Sequence, residues 1–240
     1  MNNLLLSVHH VGGRRGTSAL RSNVFQKDCM WTFYDADESC LDQIRANAHG
    51  SMVRVLPYCL YSKKCDVEFN INVDPSTNSI FDLNSKYAEF YLDNDYPLYG
   101  PMDYNLKDTI KTVRKVKMEC TSLDLLSKET EFIGPDILSI DAQGAAYEVI
   151  EGSVENLLSK TVAVCCEAEF IPFYKGQKLF SHISQLLEEN GFIFSSFVRE
   201  CHSSQLIQAI KVIYNFDLIF VPCGCRDGNN KLFRIAFNTK

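Results

Sequence analysis

The chain lacks most of the patterns that would settle a function at once. It has no CxxC pair, and none of its ten cysteines stands at a Cys/His spacing that would hold zinc, which argues against a metal-stapled module. Several cysteines lie in apolar runs, as Cys165 and Cys166 do, where the thiol behaves as a small hydrophobe. There is no basic surplus either. Lys and Arg number 24 against 30 Asp and Glu, a net charge of −6, which disfavours a general nucleic-acid binder. The one basic cluster, Lys111, Arg114, Lys115 and Lys117, reads as a solvated face. No apolar run is long enough to suggest a membrane partner, and the opening Leu4 to Leu6 is far too short to span one. There is no internal repeat, low-complexity tract or Gly/Ser linker. No signal-peptide pattern opens the sequence, so the expected compartment is the reducing cytoplasm, with neighbouring domains in a longer chain left open.

What is present is apolar material in short, regular runs. Hydrophobic residues make up 46% of 240, enough for one large core, and a single domain over 1–240 fits better than two. Runs of strand length at 4–11, 30–34, 53–60, 113–120, 136–140, 162–166, 192–197 and 216–221 alternate with helical stretches at 17–25, 38–48, 122–127, 147–158 and 180–190. That alternation predicts an α/β fold with a mostly parallel sheet. Residues 65–73 add an extra strand or hairpin. The segment 74–105 is turn-rich and then aromatic, with Tyr87, Phe90, Tyr91, Tyr96, Tyr99 and Tyr104, and is expected to be a lid or acceptor-pocket insertion unless those rings are core.

Four places carry chemistry. The first is Gly12-Gly13-Arg14-Arg15-Gly16, a glycine turn between a strand and a helix. Its backbone can approach a ligand closely, and the helix start offers free N–H groups to a carboxylate or phosphate. Against the dinucleotide pattern GxGxxG, Val11 fills the first glycine position, and a plain tight turn explains the run equally well. The second is Asp35, about twenty residues on at the end of the second strand, where an acid accepts hydrogen bonds from both ribose hydroxyls of a nucleoside cofactor. Asp37 either shares that task or caps the next helix. The third is the strand end Ser139-Ile140-Asp141-Ala142-Gln143-Gly144, and the fourth is Glu167-Ala168-Glu169. Both deliver polar groups to the carboxyl edge of the sheet, where open α/β sheets bind ligands. The alternative reading makes one of these acids a helix cap or a partner of Arg14 or Arg15.

These blocks resemble the FkbM family of methyltransferases. The most specific stretch runs from Ser139 through Gln143, Gly144, Ala145, Glu148 and Val149 to Gly152. Thr32 to Asp37, Asn78-Ser79, Glu167 to Phe170, Tyr174 to Gln177, Phe180, Gly191-Phe192 and Asp217 to Val221 match further blocks in order, so the likeness spans nearly the whole chain. The resemblance implies a Rossmann-like class I methyltransferase fold, a mostly parallel seven-stranded sheet with helices on both faces and an antiparallel last strand. It also implies S-adenosylmethionine as cofactor and methyl transfer to a hydroxyl of a small molecule or glycan. On that reading Gly12, Gly13 and Gly16 hold the methionine end, Asp35 with Ala36 the ribose, and Cys59 and Leu60, at the end of the third strand, the adenine. Asp141 and Gln143 would lie near the transferring methyl. Asp141 and Glu167 lead as general base, with His182 behind them. Two positions depart from the family: His10 stands where an acid is usual, and Ala146 where a glutamate is usual. They keep open a methyltransferase-fold binding module without activity. A nicotinamide-dependent oxidoreductase using the same turn and Asp35 is the third reading.

Overall fold

Six consecutive buried residues, Leu6–Val11, form the strand on which the sheet is built. Three of the six are polar, and the Nδ1 atoms of His9 and His10 reach Tyr34 OH and Ser139 Oγ at 3.0 Å. In a computed structural model, residues 5–12, 14, 29–48, 52–86, 110–129, 131–197 and 215–222 are described. Their elements are β1 (Leu6–Val11), β2 (Cys29–Tyr34), α1 (Leu41–Asn47), β3 (Met52–Leu56), β4 (Cys59–Leu60), β5 (Cys65–Asn72), β6 (Thr112–Thr121), α2 (Leu123–Leu126), β7 (Ile137–Ile140), α3 (Ala146–Glu151), β8 (Ala163–Glu169), α4 (Phe180–Glu189), β9 (Phe192–Phe197) and β10 (Asn215–Pro222).

The main sheet has seven strands in the order β3-β2-β1-β7-β8-β10-β9. Pairing is parallel from β3 through β8, and β10 runs antiparallel to both neighbours. This is the class I methyltransferase architecture, with the reversed strand inserted next to the edge. Alternation along the strands sends Leu6, Val8, Trp31, Phe33 and Ile137 into a core on one face, shared with Leu41 and Ile44 of α1. Val11, Tyr34, Leu138, Ile140, Val164 and Cys166 enter the core on the other, with Val149 and Ile150 of α3 and Ile183 and Leu187 of α4. Ile137, Leu138 and Ile140 are almost wholly buried, each side chain worth about 1.5–3 kcal/mol.

Between β3 and β7 the chain builds a second sheet of three strands, β4-β6-β5. The expected single strand over 53–60 is therefore two. Pro57 offers no N–H to a ladder, so the third strand ends at Leu56, and Cys59 and Leu60 pair instead with β6. The helix expected over 147–158 ends at Glu151. At Gly152 the backbone passes hard against Tyr61 and Ser122, and the Asp124 carboxylate accepts the N–H groups of Glu155 and Asn156 at 2.8 and 3.0 Å. The helix expected over 38–48 is a 3-10 turn, Glu38–Cys40, running into α1. The Ser122 cap is as read, its hydroxyl accepting from Leu125 N. α4 stops before Gly191, which has φ +84°. The expected helix at 17–25 lies outside the described residues, as do 87–105 of the expected insertion and the expected pocket loop at 199–212. Among the described residues, no helix is long and apolar enough to cross a membrane.

Candidate active site

In this strand order the chain leaves β1 toward β2 on one side and β7 lies on the other, so a crevice opens at the carboxyl ends of β1 and β7. Gly12 sits there with φ +87°. Its N–H donates to the Tyr34 carbonyl at 2.9 Å, and Asp141 N donates to the Val11 carbonyl at 2.9 Å. A Cβ on Gly12 would collide with the Asp141 carbonyl oxygen. The glycine thus serves the close crossing of two backbones, in keeping with the tight-turn reading of this run. Gly13 and Gly16 lie outside the described residues.

Asp35 follows β2 and ties the turn down. Its Oδ2 accepts Arg14 N at 3.1 Å and its Oδ1 accepts Asp37 N at 2.9 Å. Each oxygen keeps a lone pair, so the carboxylate still has acceptor capacity for a pair of vicinal hydroxyls. Burial raises the Asp35 carboxyl above its ordinary range, opposed by the Asp37 N–H. Ala36 is half-buried beside it. Asp37 is committed elsewhere: it accepts Arg14 Nη2 at 2.5 Å, Ser39 N at 3.0 Å and Ser39 Oγ at 2.6 Å, and so caps the 3-10 turn. Cys59 and Leu60 are buried in the second sheet and do not end the third strand, a correction to the sequence reading. Cys59 still lies close enough to Asp35 to sense its charge.

Asp141, Gln143 and Gly144 follow β7. Gln143 has φ +43°, and among the described residues no other non-glycine has positive φ. Such a conformation costs about 1–3 kcal/mol, and it gathers at functional sites. Three contacts hold it: Ser79 Oγ donates to the Gln143 carbonyl at 2.8 Å, Gln143 Nε2 donates to Asp141 Oδ1 at 2.9 Å, and Tyr174 OH donates to Gln143 Oε1 at 3.4 Å. A Cβ on Gly144 would stand 2.5 Å from the Tyr174 ring, so this glycine lets Tyr174 close over the turn. Tyr174 is fixed in turn by a bridge to Leu83 and by its N–H donating to Gln177 Oε1 at 3.0 Å. Residues 79–84 of the expected insertion therefore reach the site.

The sequence reading ended the next strand at residue 166 and favoured Glu167. β8 continues to Glu169, paired there with Asn215 of β10. Glu167 is half-exposed, while Glu169 is buried and pushed up to about 7, by burial first, with the Gln177 amide opposing and the Asp141 charge adding. Two-residue periodicity puts Ser139 and Asp141 of one strand on the same face as Glu167 and Glu169 of the next. Extending the alternation past Ala168 would have found Glu169. His182 is excluded from this group: it is exposed, and its Nδ1 accepts Leu179 N at 3.2 Å, capping α4. His10 is buried, with Nδ1 at 3.0 Å from Ser139 Oγ and its ring edge-on to Phe33, and burial lowers it to about 4, so it is neutral. Ala146 is buried in α3. A separate cleft of about 210 Å³ on the flank of the sheet, with His9, Tyr34, Arg54 and Phe132 in its wall, contains none of these acids.

Glu148, on the first turn of α3, is also buried and pushed up to about 7, chiefly by burial. The unfolded chain releases this proton near the ordinary value of 4.5, the folded chain only near 7. Stability therefore falls through that window as pH rises and is level above it, by up to about 3 kcal/mol for one such group. Glu148→Gln is accordingly expected to melt near wild type at the acid end of the window and above it at neutral pH. Melting curves across the window check this; a constant difference would refute it.

The family profile described as the methyltransferase FkbM domain matches residues 10–194. Among solved structures, the magnesium protoporphyrin IX methyltransferase of Synechocystis, with bound SAM, is 12% identical and aligns over 92% of this chain and 72% of its own, at a TM-score of 0.42. A TehB-like SAM-dependent methyltransferase from Corynebacterium glutamicum is 6% identical over 90% of this chain and 80% of its own, at 0.41. No curated protein matches the sequence.

Proposed function

The chain belongs to the methyltransferase FkbM domain family, and on that premise we propose that it moves a methyl group from S-adenosylmethionine to a hydroxyl of a small molecule or sugar. The observation that supports the reading is that Asp35, Asp141, Gln143 and Glu169 all lie at the carboxyl ends of β2, β7 and β8, on either side of the switch point of the sheet, with the Asp141 charge felt at Glu169. The donor set fits the cofactor: Asp35 presents two oxygens, each with one lone pair left for a ribose hydroxyl. When bound, S-adenosylmethionine supplies an already activated methyl group, so the protein's task is alignment and proton management.

The residues divide that task. Asp35 binds the ribose. Asp141, oriented by the Gln143 amide, and the strained Gln143 turn itself shape the floor where donor and acceptor meet. Glu169 is the proton acceptor: with a carboxyl near 7 it takes a proton from an acceptor hydroxyl on one of its oxygens without being fully ionised at rest. Tyr174, whose phenol burial keeps protonated, closes the site over Gly144 and excludes water. Residues 79–84 supply one wall of the acceptor pocket.

Calorimetry with S-adenosylmethionine and its demethylated product, followed by transfer of labelled methyl to a panel of sugars and hydroxylated metabolites, tests the proposal. Absence of heat with both cofactor forms, or a thermal shift with NAD alone, would overturn it. Glu169→Gln is expected to lower kcat on the order of 10²-fold while cofactor affinity stays near wild type, and to remove the rise of kcat through neutral pH. An unchanged pH profile would reassign the proton to another group.

A further inference from the structure

Outside the active site, the second sheet carries three cysteines in a row. Register pairs Cys59 of β4 with Cys120 of β6, and Cys120 with Cys65 of β5. Residues directly opposite one another share a face, so all three thiols stand on one side of the sheet with Cys120 in the middle. Cys120 Sγ donates to Cys59 Sγ at 3.0 Å. Adjacent strands lie about 4.8 Å apart, inside the Cα separation of about 4.4–6.8 Å that a disulfide spans. Bonding needs the two sulfurs to approach by only about 1 Å more. Cys59 and Cys120 are buried, whereas Cys65 is partly exposed. Among the described residues, no cluster of His, Cys, Asp and Glu is arranged to hold a metal ion.

We propose that Cys59 and Cys120 are a reversible disulfide site, loaded from a small-molecule disulfide such as oxidised glutathione through the partly exposed Cys65. The Cys65 thiolate attacks the small disulfide, forming a mixed disulfide and releasing one thiol. Cys120 attacks the Cys65 sulfur and releases the second thiol. Cys59 then attacks the Cys120 sulfur, and Cys65 returns as a thiol. In sum, one small-molecule disulfide is reduced to two thiols while Cys59 and Cys120 lose two hydrogens and gain one S–S bond. The bond would link β4, which follows directly on β3 beside Asp35, to β6, which leads through α2 to β7 and Asp141.

The test is to equilibrate the whole chain with reduced and oxidised glutathione, alkylate the remaining thiols and map the digest by mass spectrometry without reduction. The expected result is a peptide pair joined between Cys59 and Cys120, undone by dithiothreitol. Cys65→Ser should slow its formation roughly tenfold without removing it, because the buried pair then has to wait for local opening. Cys59→Ser, which keeps the other two thiols, should leave a Cys65–Cys120 link in its place. Alkylation of both Cys59 and Cys120 after full oxidation of Cys65 would overturn the proposal. So would a Cys65–Cys120 link as the sole product in the unsubstituted chain.

Discussion

Alanine at Gly12 is expected to cost the protein its fold. The position combines φ +87° with a Cβ that would strike the Asp141 carbonyl, and neither partner has room to yield. Val11 and Asp141 are joined by a backbone hydrogen bond, and β7 is the central strand of the sheet with β1 beside it. Relief requires parting these strands, which places the change among the rare substitutions costing about 4 kcal/mol or more. For a chain of this size that is a drop in Tm on the order of 10 °C, or insoluble protein. Gly191→Ala is the control. It has a similar φ of +84° but nothing within 4 Å of the added Cβ, so only the backbone penalty of roughly 1 kcal/mol applies. Differential scanning calorimetry of the pair decides the matter: equal, small shifts would show that the β1–β7 crossing is not what fixes Gly12.

Asp35→Ala is expected to remove measurable cofactor binding. The carboxylate accepts Arg14 N and Asp37 N as well as facing the proposed ribose site, so its loss frees two backbone donors and deletes two acceptor positions at once. Hydrogen bonds to a charged group contribute about 1.5–3 kcal/mol each, so affinity for S-adenosylmethionine should fall on the order of 10²–10⁴-fold. Asp35→Asn keeps one carbonyl acceptor and should fall between. Titration calorimetry with the demethylated cofactor gives the numbers. Affinity of the alanine variant within about threefold of wild type would exclude Asp35 from the site.

How far the sequence reveals this molecule follows from which physical signals are local. The parallel core was legible because its strands are short runs of core residues bounded by glycine or acid, although β1 carries Ser7, His9 and His10 among them. Asp35 and Asp141 were legible for the same reason, as the first polar residues after such runs. What was missed depended on distant partners. Nothing near Pro57 announces that Cys59 and Leu60 join a different sheet, since their partner strand begins at Thr112. The shortened α3 ends because Tyr61, Ser122 and Asp124 press on residues 152–156 from elsewhere in the chain. Glu169 was passed over because the extra turn of strand that carries it is supported by β10, nearly fifty residues later. His182 looked like a base because a histidine in a helix gives no hint of its role until its ring is seen on Leu179 N.

The insertion of β10 between β8 and β9 has a consequence for synthesis. A ribosome delivers the chain from its amino end, so β8 emerges with its outer edge unpaired and β9 with no strand beside it in the main sheet, until residues 215–222 follow. β1 has waited longer still, since its second neighbour begins at Ile137. The sheet closes only when β10 arrives, and until then it carries open edges, the usual seeds of aggregation. Substitutions in β10 should therefore raise chaperone demand during synthesis as well as lower stability once folded, since Phe220 and Val221 are core residues.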